Sequence, residues 1–443
     1  MREHQPSLRR LFDIYDYVVD NKVGIVNNVR ELSRPAGSPE FFRFVAQACN
    51  TRAFVRQENF GAAGGASADR GMALAKAIGE AIERYCSAIY DVEEFPLHPY
   101  ESAPFSCVSP REFALYLPEQ YSEPNFAFVP FEETTPVRWA PAHDLMSEEI
   151  CYVPAAMVFV PYTYYLGTGD SPILQPISTG LACHSSLPEA TVSAISEVIE
   201  RDAFTITWQA RLSPPQIALD SLSDNNQELV DRIHRCGRTL TLFNITMDVG
   251  IPSILAVQRS NSPKVPAIVV SAASGLDPEH VVRKSIEEVA HTSRYMQELH
   301  AASLQHTQTS DYENIVNQDD HLGFWALQEN APLCDFLFEF EERVSFSSLK
   351  NLSSGNPATD IEILMERVSA IGHKILVTDL TTPDVEELGL AVVRAIIPGF
   401  HPLFMGHKYR ALRGSRLWKI PQTLGYKGVI RESGDNPLPH PFP

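Results

Sequence analysis

Two copies of a Glu-x-x-Glu-Arg motif contain the residues best suited to chemistry in this sequence. They lie far apart in the chain, at residues 80–84 (EAIER) and 197–201 (EVIER). Residues three positions apart share one side of a helix, so each copy would present two carboxylates on a common face. Isoleucines four positions apart accompany both copies and would bury another face in the core. The pattern predicts two similar helices, each with one apolar and one acidic side.

If the two helices faced each other, four carboxylates would surround one small cavity: Glu80, Glu83, Glu197 and Glu200. Their mutual repulsion would require cations between them. Mg²⁺ is a hard cation that takes oxygen ligands and commonly links carboxylates to nucleotide phosphates. The repeat therefore predicts these glutamates as ligands of Mg²⁺ and nucleotide. The alternative is a solvated helical face with internal ion pairs, which a single copy would favour and two matched copies do not.

Both motif copies lie in segments with helical periodicity that follow a stretch of small or polar residues. The first helix is predicted over residues 72–90, after a flexible loop of small residues at 61–68. The second is predicted from Pro188 to about Gln209, with Ser186 available as its cap. Further elements alternate along the chain, with helices predicted at 278–299 and 360–372 and strands at 239–245, 254–257, 267–270, 374–380 and 390–397. The alternation predicts a mixed α/β fold.

Composition limits the classes of partner and the compartment. The net charge of −19 over 443 residues disfavours nucleic acid and anionic lipid as general partners. No apolar run reaches membrane-spanning length, and the first residues lack the apolar core of a signal peptide. The seven cysteines form no C-x-x-C pair, which indicates free thiols in a reducing compartment, here the cytoplasm. We expect a short N-terminal segment, 1–60, and one domain, 61–443.

The chain ends in a proline-rich tail, residues 437–443 (PLPHPFP). Four prolines in seven residues favour a stiff polyproline-type segment without internal hydrogen bonds. Stiffness lowers the entropy that is lost when such a segment is fixed. The alternative is a disordered terminus.

Several longer phrases in the sequence resemble the YcaO superfamily. They are AIGEAIERY at 77–85, STGLACHSSLPEA at 178–190, AISEVIERDAF at 194–204 and VVRAIIPGFHP at 392–402. The resemblance extends over roughly residues 60–443. It implies a YcaO-type fold with pseudo-symmetric helix–sheet repeats around a nucleotide cleft. It also implies binding of ATP and Mg²⁺ without a Walker-type loop, and the sequence indeed has no G-x-x-x-x-G-K-[ST] motif.

The resemblance assigns roles to individual residues. The four glutamates match the family's Mg²⁺ and nucleotide ligands, Ser193 matches a polar nucleotide-contacting position, and Arg394 matches an arginine that faces the phosphates. Arg84 and Arg201 complete the two motifs and would support the helices. The tail would line the active site, with the Pro443 carboxylate close to the chemistry.

Two features depart from the family pattern, and the general base is left open. Lys76 stands where the first motif usually has serine, and residues 61–68 lack the lysine often found there. Candidates for the base are His440, His184 and the terminal carboxylate.

The implied activity is that of an ATP-dependent, azoline-forming cyclodehydratase in bacteriocin-like natural-product biosynthesis. Such an enzyme converts Cys, Ser or Thr of a ribosomal precursor peptide to thiazoline or oxazoline. A separate ThiF-like protein would bind the leader peptide, because residues 1–60 are too few for such a module, and a homodimer is left open. The alternatives are thioamidation or another amide activation, which the tail disfavours, and a nucleotide-binding subunit without catalysis, which the missing loop lysine would support.

Overall fold

The computed structural model describes residues 6–165, 167–302, 312–340, 342–426 and 431–443. Its α-helices are α1 (Pro6–Val18), α2 (Arg70–Cys86), α3 (Pro118–Tyr121), α4 (Leu187–Gln209), α5 (Asp224–His234), α6 (Pro278–Ala302), α7 (Gln318–Ala326), α8 (Pro357–Ala370), α9 (Pro383–Glu387) and α10 (Ser415–Thr423). In these ranges, no helix is long and apolar enough to cross a membrane.

The strands fall into three sheets. They are β1 (Val26–Glu31), β2 (Phe42–Ala48), β3 (Ala62–Ser67), β4 (Leu97–His98), β5 (Val137–Asp144), β6 (Ile150–Pro154), β7 (Leu181–His184), β8 (Gln216–Ile217), β9 (Thr239–Asn244), β10 (Ser253–Arg259), β11 (Ile268–Ser274), β12 (Arg343–Val344), β13 (Leu376–Asp379) and β14 (Ala391–Ile396). The predicted helices and strands named above are present with small shifts of their ends, and the mixed α/β class is confirmed.

The chain forms two compact units, each made of segments that are distant in sequence. The first comprises residues 1–33, 42–198 and 354–400. It contains the antiparallel sheet β1-β2-β3 and a six-stranded sheet in the order β4-β5-β13-β14-β7, with β6 paired to β5. The proposed division into residues 1–60 and 61–443 stays a prediction.

Helix α2 lies directly against β3, because the residues at this contact are small. Asp69 caps the helix by accepting the N–H of Met72, and the buried face includes Ala73, Ala77 and Ile78. A Cβ atom on Gly65 of β3 would lie 2.3 Å from the Ala73 carbonyl oxygen, so only glycine fits there. The stretch 61–68, predicted as a flexible loop, is therefore mostly a strand.

The second unit comprises residues 34–41, 199–353 and 401–443. Its five-stranded sheet has the order β11-β10-β9-β8-β12. Strand β10 pairs antiparallel with β11 along its whole length and with β9 from Ile254 to Arg259, and α6 packs on β10 and β11. The buried runs 254–258 and 268–273 place the core of this unit beneath α6. Helix α4 contributes to both units, up to Val198 in the first and from Ile199 in the second.

Candidate active site

The first unit brings together three of the four predicted carboxylates. Glu83 lies on α2, and its Oε1 accepts the backbone N–H of Cys183 in β7 at 2.8 Å. Burial, followed by the charge of Glu197 and then that of Glu80, raises the pKa of Glu83 well above its usual range. Glu80, Glu83 and Glu197 therefore interact electrostatically, and their role as ligands of Mg²⁺ and nucleotide stays a prediction.

Glu80 is held in place by its own motif. Its Oε2 accepts the backbone N–H of Gly64 at 2.8 Å, and its Oε1 pairs with Arg84 Nη2 at 2.5 Å. Arg84 also donates to the Ala62 carbonyl oxygen in β3. The arginine of the first copy thus fixes α2 to its neighbouring strand, in agreement with the supporting role expected for it.

Glu197 lies on α4 at a point where the backbone approaches closely. It accepts the N–H of Gly180 at 3.4 Å. Gly180 has φ +83°, and a Cβ atom there would lie 2.4 Å from the Ala395 carbonyl oxygen. Glycine is required here by both conformation and space. The loop before β7 can therefore reach the carboxylate with its backbone.

Arg394, on β14, supplies a buried cation to the same unit. Its Nε donates to the Met157 carbonyl oxygen at 3.0 Å and its Nη2 to that of Ile177 at 2.9 Å. Its Nη1 is buried and has no hydrogen-bond partner in the described part of the chain. Burial lowers the pKa of Arg394 to about 10, while Glu197 acts in the opposite direction. The side chain thus stays charged at neutral pH and offers a free donor suited to an anion such as phosphate.

Glu200 belongs to the second unit and is neutralised there by two cations. Its side chain is 1% exposed, and it pairs with Arg201 and with Lys284 Nζ at 3.2 Å. Lys284 lies on α6 and also approaches Glu288 at 3.8 Å. No pattern in the sequence indicates Lys284, because only the tertiary fold brings α6 to this carboxylate.

Three other positions singled out from the sequence have simple surroundings. Ser193 is exposed on α4, one turn before Glu197. Lys76, on α2, donates to the Ala66 carbonyl oxygen at 3.1 Å. His184 Nδ1 lies 2.9 Å from Glu189 Oε2. The assigned role of Ser193 stays a prediction.

The donor set fits Mg²⁺, although its members now make other contacts. Among the described residues, no group of three or more His, Cys, Asp or Glu side chains is placed so that it could hold a metal ion. The carboxylates instead accept protein N–H groups or pair with Arg and Lys. Burial is the main cause of the raised pKa of Glu83, and the charges of Glu197 and Glu80 add to it. Hard carboxylate oxygens carrying excess negative charge are suitable ligands for Mg²⁺.

The C-terminal tail is buried in the second unit. Its carbonyl oxygens, which a polyproline segment cannot satisfy internally, accept side-chain donors. Trp208 Nε1 donates to Leu438 at 3.2 Å, Trp325 Nε1 donates to Pro439 at 2.9 Å, and His321 Nδ1 lies 3.0 Å from the His440 carbonyl oxygen. The tail is thus an ordered part of this unit, in contrast to the alternative of a disordered terminus.

His440 has a structural environment. It is 1% exposed, its Nδ1 accepts the Phe442 N–H at 3.2 Å, and its Nε2 lies 2.7 Å from the Phe404 carbonyl oxygen. Both ring nitrogens are therefore in use, and Nε2 carries the proton. Burial lowers the pKa of His440 to about 4. This geometry favours a role in shaping the tail over the catalytic role expected from the sequence.

Comparison with known proteins gives a family match over most of the chain. Residues 64–401 match the family described as YcaO cyclodehydratase, ATP- and Mg²⁺-binding. An uncharacterized protein of Methanothermobacter thermautotrophicus is 27% identical over 345 residues, which are 76% of this chain and 80% of that protein.

Three solved structures share the fold. A heterocyclase in complex with substrate and cofactor has a TM-score of 0.80 at 20% identity, and the match covers 100% of this chain but only 58% of that one. YcaO from Methanopyrus kandleri, bound with AMPPCP and Mg²⁺, has a TM-score of 0.62 at 21% identity and coverages of 89% and 90%. The E. coli microcin synthetase McbBCD complex with pro-MccB17 bound has a TM-score of 0.62 at 16% identity and coverages of 93% and 96%.

Proposed function

Because this chain belongs to the YcaO family of ATP- and Mg²⁺-binding cyclodehydratases, we propose that it forms azolines in a ribosomally made precursor peptide. A Cys thiol or a Ser or Thr hydroxyl of the peptide attacks the preceding backbone carbonyl carbon. The former amide oxygen accepts the γ-phosphoryl group of ATP and leaves as inorganic phosphate. The products are one thiazoline or oxazoline ring, ADP and phosphate, and the peptide loses the mass of one water.

The observation that carries this proposal is the grouping of Glu83, Glu197 and Glu80 with Arg394 in one unit. Phosphoryl transfer needs position and charge neutralisation more than covalent chemistry from the protein. Bound Mg²⁺ supplies charge neutralisation to the phosphates. Arg394 presents its unpartnered Nη1 to a phosphate oxygen, and the carbonyls of Met157 and Ile177 keep its guanidinium in place.

The remaining assignments follow the same proposal. The four motif glutamates bind Mg²⁺, and Ser193 contacts the nucleotide. The tail presents the Pro443 carboxylate to the peptide, where it serves as the base for the attacking thiol or hydroxyl. The precursor peptide reaches the enzyme on a separate ThiF-like partner that binds its leader.

The test is reconstitution of the reaction. The protein is incubated with its partner, a precursor peptide, ATP and Mg²⁺, and the peptide mass and the released phosphate are measured. Azoline formation requires loss of one water and release of one phosphate per ring. The Glu197→Gln variant, which leaves the helix intact, should lose both signals.

Each alternative gives a different result in the same experiment. Thioamidation exchanges the carbonyl oxygen for sulfur, so the peptide mass would rise. A nucleotide-binding subunit without catalysis would bind ATP and leave both the peptide mass and the phosphate concentration unchanged.

A further inference from the structure

One face of α4 in the second unit receives the C-terminal tail. Arg201, Phe204 and Trp208 are spaced at i, i+3 and i+7 and so lie along a single helical stripe. The Phe442 ring lies 4.4 Å from the Phe204 ring, between centroids, and the Trp208 indole donates to Leu438. Phe442 is 2% exposed, so the ring is a fixed part of the core.

The first residue of this stripe also contacts a motif carboxylate. The Arg201 guanidinium carbon lies 4.5 Å from the centre of the Phe442 ring, within the range of a cation–π interaction. Arg201 Nη1 donates to Glu200 Oε1, while Lys284 approaches Glu200 Oε2. One guanidinium therefore contacts the end of the tail on one side and a buried carboxylate on the other.

The chain offers an internal comparison. Arg84, at the equivalent position of the first motif, contacts Glu80 and the Ala62 carbonyl oxygen, both of which belong to the first unit. The tail lies in the second unit, where Arg201 contacts it. The sequence repeat thus gives two arginines with similar local roles, of which Arg201 has acquired an aromatic partner from the tail.

We propose that Arg201 is a positioning residue that couples the C-terminal tail to Glu200. With Phe442 in place beneath it, the guanidinium is held in one orientation and fixes the rotamer of the Glu200 carboxylate. Without the ring, Arg201 and Glu200 can adopt other arrangements, and Mg²⁺ binding must then first order both side chains. The inference rests on the proposed role of Glu200 as a ligand of Mg²⁺.

The coupling must act in both directions. If a seated tail strengthens Mg²⁺-nucleotide binding by some factor, bound Mg²⁺-nucleotide must strengthen tail seating by the same factor. The enzyme would then bind ATP most tightly when its tail is in place to take part in the peptide reaction.

The first experiment measures the Mg²⁺ requirement for AMPPCP binding by calorimetry, without turnover. Phe442→Leu keeps an apolar side chain but removes the ring face, and we expect a three- to tenfold higher half-saturating Mg²⁺ concentration. Phe442→Tyr keeps the ring and should restore the wild-type value to within twofold. Phe338→Leu, which removes a ring beneath another arginine of the second unit, Arg259, should also stay within twofold.

The second experiment measures the reverse effect. Carboxypeptidase digestion of the tail in the full-length protein should slow on addition of saturating Mg²⁺ and AMPPCP. Arg201→Lys should abolish this protection. Arg84→Lys, the matched change in the first motif, should retain it.

The outcomes separate this inference from the proposed function. If wild-type protein binds no Mg²⁺-AMPPCP, the proposed function fails. A different outcome is that the wild type binds Mg²⁺-AMPPCP while Phe442→Leu has the wild-type Mg²⁺ requirement and the nucleotide does not change the rate of tail digestion. In that case the coupling is wrong and the proposed function stands. Thermal unfolding of each variant shows whether it is folded. If Phe442→Leu is unfolded, digestion of the wild-type tail with and without Mg²⁺ and AMPPCP still decides the coupling.

Discussion

At Glu83, burial and neighbouring charge act in the same direction. Burial, Glu197 and Glu80 together raise its pKa well above 4.5. A raised folded-state pKa adds stability that is complete below the unfolded value and is lost as pH rises through the folded pKa. Burying this carboxyl therefore costs the metal-free fold free energy at neutral pH, where the unfolded chain has it ionised.

We expect Glu83→Gln to stabilise the protein and remove its response to ligand. In EDTA at pH 7 the free energy of unfolding should rise by about 1–2 kcal/mol, since the repulsion disappears and the amide oxygen can still accept the Cys183 N–H. Adding Mg²⁺ and AMPPCP should stabilise the wild type but not the variant. Urea unfolding with and without ligand measures both effects.

Glu80→Gln serves as the control for this prediction. It weakens the ion pair with Arg84 and should not stabilise the metal-free protein. If both substitutions stabilised it equally, the special environment assigned to Glu83 would be incorrect.

In Arg394, Nε and Nη2 donate to carbonyl oxygens, whereas Nη1 has no hydrogen-bond partner among the described residues. A lysine cannot keep both carbonyl contacts and still present a donor at the position of Nη1. We expect Arg394→Lys to weaken AMPPCP binding about 10–100-fold, or about 1.4–2.7 kcal/mol. Calorimetric titration at saturating Mg²⁺ measures this, and an unchanged affinity would remove Arg394 from the nucleotide site.

At the scale of elements, β3 is a strand that the β-propensity of its residues does not predict. Glycine and alanine are poor strand formers, so residues 61–68 were predicted as a loop. The structure uses the same small residues to bring β3 and α2 into backbone contact at Gly65. The motif helices were predictable because their periodicity is local, whereas Lys284, Trp208 and Trp325 were not, since only tertiary contacts give them their roles.

The close contact at Gly65 predicts that a larger residue there lowers the free energy of unfolding. The added methyl group of Gly65→Ala would meet backbone atoms of α2 at 2.3 and 2.5 Å, and we expect a loss of about 2–4 kcal/mol. Gly323→Ala in α7 is the matched control, because its methyl group would meet nothing within 4 Å. That change should stabilise the protein by about 0.5–1 kcal/mol. Urea unfolding of both variants tests the pair, and equal effects would contradict the contact.

The tail gives the second prediction at this scale. Deleting residues 439–443 removes the acceptors of Trp325 and His321 and the Phe442 ring. We expect ring formation to be abolished, while ATP binding persists at a raised Mg²⁺ concentration. Peptide mass and AMPPCP titration separate the two effects, and a truncated protein that forms azolines at the normal rate would show that the tail takes no part in the reaction.

At the scale of the whole molecule, the sequence predicted the fold class and the family but not which segments of the chain make up each of the two units. Residues 354–400 return to the first unit and residues 401–443 belong to the second. Such pairings join segments that are hundreds of positions apart, and no local pattern encodes them. The tail could be recognised from its prolines, but its burial depends on aromatic residues of α4 and α7.

The second unit also contains several buried histidines that remain neutral. Burial is the main cause in each case, and it lowers the pKa of His440 to about 4 and those of His401 and His407 to about 3. Nearby arginines act in the same direction, Arg416 on His401 and Arg410 on His407. The pKa of His321 is also lowered well below its usual value, by burial and then by His440. Acid therefore charges these rings in the unfolded chain well before it charges them in the fold.

We expect the second unit to lose stability in mild acid. Unfolded histidines take up protons near pH 6.5, while these folded ones stay neutral down to about pH 4, so their contribution is complete above pH 6.5 and falls as pH decreases. Each histidine can contribute up to about 1.4 kcal/mol per pH unit in that window. Urea unfolding followed by tryptophan fluorescence, to which Trp208 and Trp325 contribute, should show the decline between pH 6.5 and 4.5. His440→Asn should make it less steep, because one titrating ring is gone, and an equally steep decline in this variant would show that His440 is not among the groups responsible.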